Sequence, residues 1–339
     1  MRARPPLEID IPVFWTHTRK ESDSIPPGQT PILPFTHSHL IQWGNHSENY
    51  ILQQVYTNAG VTIVHLSFSI AQYCILPIYC REAFNALQYT LRGFTFARLH
   101  GYGVFPLFEG TYSLQYIPVG IHKVLMPPGK YHFLYILPGP NLALLTEKHP
   151  NIKLLIEDLE ALHENGDLAI RLPIDTTVSE IINQLQSMST NEEVEFSLSS
   201  FLIKLLRQVY RQLQKKITEV QPTHRELPSY ISHFIATRIH EPVPDLVGKI
   251  KDRFFLEGNA LRKSWSPDSN IDLPPSPIRS PRAILNAIRL KLALFLLVIE
   301  HLPVTKVSDM LSYASIYSFS DHFKSNFGFS PAQAQGNVF

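Results

Sequence analysis

The sequence predicts an α+β protein of two domains: an N-terminal β-rich domain, an antiparallel sandwich or barrel with trailing helices, and an all-α C-terminal domain. Three observations carry the prediction. The chain has 339 residues, more than the roughly 100 to 200 usual for one core. From Ile32 to about Ile136 it runs in short β-branched and aromatic segments divided by Gly, Pro and Asn. From about Asn141 onward the apolar spacing changes to three and four residues.

In the first region, segments such as VTIVHLSFSI and YSLQYIPVGI read as strands, and no long helical pattern intervenes between most of them. That spacing favours antiparallel sheets over a βαβ arrangement. CREAFNALQYTLRGF carries both strand and helix signals. Next, PNIKLLIEDLEALHENG, VSEIINQLQSM and Ser197 to Ile217 read as helices. The last of these has Phe201, Leu202, Leu205, Val209, Leu213 and Ile217 on one stripe, wide enough to pack on its own domain or on a second copy in a homodimer. Two prolines in TEVQPTHRELPS then end the helix, so residues 219–229 read as a linker between a domain at 1–218 and another at 230–339. Within the latter, SPDSNIDLPPSPIRSP, at 266–281, is too rich in proline and serine to continue a helix and reads as an exposed loop.

Composition sets limits on function. Hydrophobic residues make up 44% and charged residues 17%, values of a folded chain. Cys74 and Cys80 are too few for a disulfide framework and lack zinc-site spacing. MRARPPLEIDIPVFW lacks the apolar core of an export signal, and the apolar run Leu292 to Ile299 is far shorter than the about 20 residues of a membrane span. These features predict a cytoplasmic protein with no membrane partner. The net charge is +1, but residues 225–339 hold 13 Lys+Arg against 10 Asp+Glu, leaving 17 against 19 in the rest. No phosphate-binding loop, dinucleotide fingerprint, zinc-protease motif or serine elbow occurs, so no catalytic residue, metal or cofactor is predicted and the chain reads as a non-enzyme.

The strongest local signal is LPVTKVSDMLSYASIYSFSDHFKSNFGFSPAQAQ, residues 302–335. A short helix with Thr305 as N-cap presents Val307, Met310 and Leu311 to a core, a tight turn follows at Ser312 to Ser315, and a second helix starts near Ile316. Phe319 and Phe323 form the buried face of that helix, which leaves Tyr317, Ser318, Ser320, Asp321 and Lys324 outward. A short helix, a turn and an amphipathic helix with a polar outer face is the geometry of a helix-turn-helix unit.

The segment FSDHFKSNFGFSP resembles the signature of the AraC/XylS family of transcriptional regulators. AIRLKLALFLLVIEHLPVTKVSDM resembles that family's connecting helix and the start of its second helix-turn-helix. SYISHFIATRIHEPVPDLVGKIKDRFFLEGNALRKSW resembles the first, with Leu246, Ile250, Leu261 and Trp265 in core positions. The β-rich region, residues 85–217, resembles the sensor domain and trailing helices of siderophore-responsive members. The resemblance implies a tandem helix-turn-helix domain that binds double-stranded DNA, a pocket inside the sensor sheet for a small-molecule effector, and activation through RNA polymerase. Its DNA-facing residues would be Asn259, Arg262 and Lys263 on the first recognition helix and Ser315, Tyr317, Ser318, Asp321 and Lys324 on the second. Arg262 suits a guanine edge, Asn259 an adenine edge, and Lys263 and Lys324 suit phosphates.

The chain departs from the family pattern at Ser312 and Tyr313, where Gly-Phe is usual in the turn, at Asp321, where a basic residue is usual, and at Ala334 and Gln335, where Tyr-Arg is usual. These departures motivate a second reading, a protein-interaction or ligand-sequestering protein with a degenerate helix-turn-helix domain. His37-Ser-His39 and Pro127-x-Gly-x-x-His132 look like fragments of a cupin metal motif, but with no glutamate at the expected offset they read as turn and core histidines.

Overall fold

The structure, a computed structural model, describes residues 7–9, 20–23, 25, 33–34, 36–44, 49–58, 61–101, 103–137, 150, 169–188, 191–214, 222–223, 226–238, 241, 243–254 and 281–336. Its β-domain has thirteen strands among the described residues: β1 (Leu7–Ile9), β2 (Lys20–Ser22), β3 (His37–Gln42), β4 (Tyr50–Asn58), β5 (Val61–Ile70), β6 (Cys74–Cys80), β7 (Phe84–Arg92), β8 (Phe94–Leu99), β9 (Gly103–Phe108), β10 (Thr111–Ile117), β11 (Gly120–Met126), β12 (Gly129–Leu137) and β13 (Ala169–Pro173). Eight helices among the described residues accompany them: α1 (Thr176–Ser187), α2 (Asn191–Gln214), α3 (Leu227–Ala236), α4 (Val243–Phe254), α5 (Pro281–Val298), α6 (Val304–Met310), α7 (Ile316–Phe327) and α8 (Pro331–Gly336).

All strand pairs are antiparallel, in two sheets ordered β1-β6-β11-β8-β9 and β13-β10-β7-β12-β5-β4-β3-β2. Alternate residues of β5 explain why its sequence is apolar almost throughout. Val64, Leu66, Phe68 and Ile70 fill the space between the sheets, while Val61 and Ile63 meet the helices on the opposite face. Coverage of both faces also hides the strand period in CREAFNALQYTLRGF, whose core is β7: Ala86 points between the sheets and Leu87 and Tyr89 point to the helices.

One expectation needs correction. The region from about Asn141 is not helical throughout, because Ala169–Pro173 forms a strand on the edge of the larger sheet, Arg171 opposite Ser113. The segment 151–167 lies outside the described residues. Of the two alternatives for the apolar stripe of α2, its described part takes the first, packing on its own domain: Phe201, Leu202, Leu205 and Val209 join Tyr89, Tyr112 and Leu134 of the sheet. Burial of about 25 cal/mol per Å² on that face is thus intramolecular.

Asp175 fastens these layers. It caps α1 by accepting from Val178 N at 2.8 Å, and its second oxygen accepts from Gln208 Nε2 and Gln212 Nε2 of α2, each at 2.6 Å. Gln212 in turn accepts from the Tyr112 hydroxyl of β10 at 3.0 Å. A buried carboxylate needs such donors to offset its lost hydration.

The outer face of the smaller sheet carries Phe94, Phe96, Phe108 and Leu125, which share one core with α3 to α8. Phe96 meets Phe295 of α5, and Lys291 lies 4.6 Å over the Phe94 ring. Arg98 pairs with Glu300 at 3.4 Å. At Gly110, in the β9–β10 turn with φ +75°, an added Cβ would come within 2.6 Å of Ser229 Oγ on α3, so the helices approach the sheet there only because the side chain is missing. No helix among the described residues is long and apolar enough to cross a membrane.

Candidate nucleic-acid interface

The second helix-turn-helix assembles from α6, a turn and α7. Helix α6 begins at Val304 with Pro303 as its cap, so Thr305 lies inside the helix and is not its N-cap. Val307 and Leu311 are fully buried, as their spacing requires, whereas Met310 is 36% exposed and faces away from the core. The helix ends in a Schellman arrangement: Tyr313 N donates to Ser308 O at 3.1 Å and Ser312 N donates to Asp309 O at 2.9 Å. Ser312 takes the left-handed conformation, φ +54°, that this ending demands and that glycine adopts without cost. The turn keeps its geometry at the expense of strain in one residue.

Ser315 caps α7, its Oγ accepting from Ser318 N at 3.1 Å, and Gly328, φ +81°, closes the other end. Phe319 and Phe323 are fully buried in between. Their rings meet at 5.7 Å, Phe327 follows at 4.6 Å from Phe323, and Tyr73 of the β-domain reaches Phe327 at 5.8 Å. The opposite face is open. Ser315, Tyr317, Ser318, Asp321 and Lys324 are all exposed, with Tyr317 at 80%, while Ser320 is half-buried. One acid, one base and three hydroxyl-bearing residues, exposed among the described residues, make a surface of donors and acceptors.

The sequence did not single out what holds this helix from beneath. Arg289 of α5 is buried and stands 5.4 Å from the centre of the Tyr313 ring. The Tyr313 hydroxyl hydrogen-bonds His322 Nδ1 of α7 at 2.9 Å, and its ring tilts on Phe319 at 5.1 Å. Burial lowers the pKa of His322, and the Arg289 charge adds to the effect, so the imidazole is kept neutral and able to accept from the phenol. The Tyr313 departure from the family pattern thereby ties the turn to helices on both sides. Gln335 is likewise structural: its Nε2 donates to Leu302 O at 2.6 Å, between α5 and α6.

In the segment expected to form the first helix-turn-helix, Leu246 and Ile250 of α4 are buried as expected. Leu261, Trp265 and the predicted contacts Asn259, Arg262 and Lys263 lie outside the described residues, as does most of the 266–281 loop.

His39 and His132, the halves of the metal-motif fragments, do not converge. Cross-strand register places His39, Gln53, Leu66 and Phe133 on one face of the larger sheet and Leu40, Leu52, Ser67 and His132 on the other. His132 stacks on His65 at 5.6 Å and meets Ser67 Oγ at 3.0 Å, while His39 lies beside Glu21 and Asp23. Among the described residues no three His, Cys, Asp or Glu side chains are placed to hold a metal. Between the sheets lie the apolar side chains of one core cluster, and Gln88, Ser113 and Gln115 of β7 and β10 form a buried polar group. A cavity of about 350 Å³ lies between α3 and α4.

No family model and no curated protein matches the chain. Among solved structures it is similar to ToxT from Vibrio cholerae, at 12% identity and a TM-score of 0.31 over 82% of this chain and 98% of that one. It is also similar to the AraC-like transcriptional activator CuxR, at 10% identity and a TM-score of 0.32 over 81% and 95%. The EutQ protein of Clostridium difficile matches 27% of this chain and 71% of its own, at 11% identity and a TM-score of 0.21.

Proposed function

We propose that the chain is a sequence-specific DNA-binding regulator of transcription, with residues 230–339 as the DNA-binding domain, 219–229 as the linker and 1–218 as a domain that senses a small molecule. The observation that carries this reading is α7: its back is anchored by Phe319 and Phe323, and Ser315, Tyr317, Ser318, Asp321 and Lys324 stand exposed on its front. A helix held this way from behind lays its outer residues against base edges in a major groove. Lys324 contacts phosphate. Asp321 accepts from a cytosine amino group, a preference a basic residue would not give. Asn259, Arg262 and Lys263 serve the neighbouring groove. The effector acts by binding one arrangement of the two domains better than another, and the regulator is an activator that engages RNA polymerase.

Fluorescence anisotropy of full-length protein with a random-sequence duplex at 50 and 200 mM salt tests the reading. DNA binding through several phosphates falls steeply between those concentrations because counterions are released. Retention of binding at the higher salt, or its absence at the lower, would instead favour a protein-interaction role for the exposed face.

A further inference from the structure

The cavity between α3 and α4 is lined by Tyr230, His233, Phe234, Thr237, Arg238, Arg253 and Phe254, and its aromatic residues also belong to the core these helices share. Phe234 and Phe254 meet edge to face at 5.8 Å and form its apolar wall. Each ring carries a guanidinium: Arg238 lies 4.1 Å over Phe234 and Arg253 lies 5.2 Å over Phe254. A guanidinium over an aromatic ring keeps its charge and can still direct N–H donors at a carboxylate or phosphate. One Arg238 donor is taken by Thr237 Oγ1 at 2.9 Å. Tyr230 and His233 complete the cavity, and its volume is at the lower end of the ~300–1,000 Å³ of small-molecule sites. His233 bonds the Arg171 carbonyl of β13 at 3.1 Å, and its pKa is pushed down to about 4, chiefly by burial. The positive charge of the cavity at neutral pH therefore comes from the two arginines.

We infer that this cavity binds a small organic anion with a flat apolar body, its carboxylate or phosphate held by Arg238 and Arg253 and its body laid against Phe234 and Phe254. The site is also placed to report occupancy. Helix α3 is fixed to the β-domain through His233 and through Ser229 at Gly110, while α4 opens the first helix-turn-helix. A ligand that bridges the two helices sets the position of the DNA-reading module relative to the sheets. This second step rests on the DNA-binding reading above; the binding step does not.

The test titrates full-length protein with two fluorescent anions, coumarin-3-carboxylate and 4-methylumbelliferyl phosphate, and with the neutral ethyl ester of the first. The expected result is saturable binding of at least one anion, about tenfold or more tighter than the ester. Arg238→Gln and Arg253→Gln should each weaken it about tenfold at unchanged melting temperature, and the Lys variants should recover part of the loss. Equal binding of the ester, or undiminished anion binding by the folded double Gln variant, would overturn the site. In parallel, saturating anion should shift the affinity for a random duplex about threefold or more. Arg-dependent anion binding with no DNA binding under any condition would keep the site and sink the regulator reading. DNA binding that the bound anion leaves unchanged would overturn the coupling.

Discussion

The Arg289 guanidinium sits 5.4 Å from the centre of the Tyr313 ring, joining the long helix α5 to the turn that aims α7. Arg289 Nε and Nη2 are buried without hydrogen-bond partners, so the ring face is the main compensation for a desolvated charge. Tyr313→Ala should therefore cost about 2–4 kcal/mol in urea unfolding, since it opens a void and strands the cation. Tyr313→Phe should lose only the bond to His322, about 1 kcal/mol. Arg289→Met, which keeps the length of the side chain and removes the charge, should be neutral or stabilising; a loss as large as that of Tyr313→Ala would show that the cation is itself the anchor.

Ser312 gives a second, opposite expectation. At φ +54° it holds a conformation disfavoured for residues with a Cβ, so Ser312→Gly should raise stability by about 0.5–1 kcal/mol. Ser312→Val should lower it by more, because a β-branched residue tolerates the left-handed region worst. Thermal unfolding of the two variants checks the order.

Acid sensitivity follows from three histidines. Burial, followed by the His132 charge, pushes His65 down to about 3. Burial, followed by Arg92 and Lys130, pushes His132 down to about 4, and His233 stands at about 4. A folded-state pKa below the unfolded value of about 6.5 means that the unfolded chain binds the extra proton in acid, so stability is complete above pH about 6.5 and falls as pH drops. Each histidine contributes about 1.4 kcal/mol per pH unit, until the pH reaches its folded-state pKa. The urea midpoint should decline from pH 7 to 5, and His65→Leu should flatten that decline; an unchanged slope would contradict the assignment.

The exposed face of α7 is expected to matter for binding and not for folding. Tyr317→Ala and Lys324→Ala should change stability by less than about 0.5 kcal/mol. Lys324→Ala should weaken all duplexes alike and reduce the slope of log affinity against log salt by about one, whereas Tyr317→Ala should alter sequence preference.

How much of this was legible in the sequence varies by element. The Phe319–Phe323 pair fixed the buried side of α7 and hence its exposed side, because a four-residue repeat on a capped helix leaves one orientation. Helix α6 is only seven residues long, too short for its period to separate Met310 from the core. Strand β13 was hidden between helical patterns, since its five residues are ordered by pairing with the distant β10. The Arg289–Tyr313–His322 chain was illegible for a similar reason: three residues from three elements meet only through the fold, and an arginine at the edge of an apolar run reads as a boundary rather than a core residue. The cavity arginines, Arg238 and Arg253, gave no motif at all.

The most direct test of the central claim is selection of random duplex DNA by the full-length protein, run beside a variant with Tyr317, Asp321 and Lys324 all replaced by alanine. The account predicts enrichment of a motif with two half-sites about one helical turn apart, and loss of information in one half-site alone for the variant. An unchanged motif in the folded variant, or no enrichment with the wild-type protein, would contradict it.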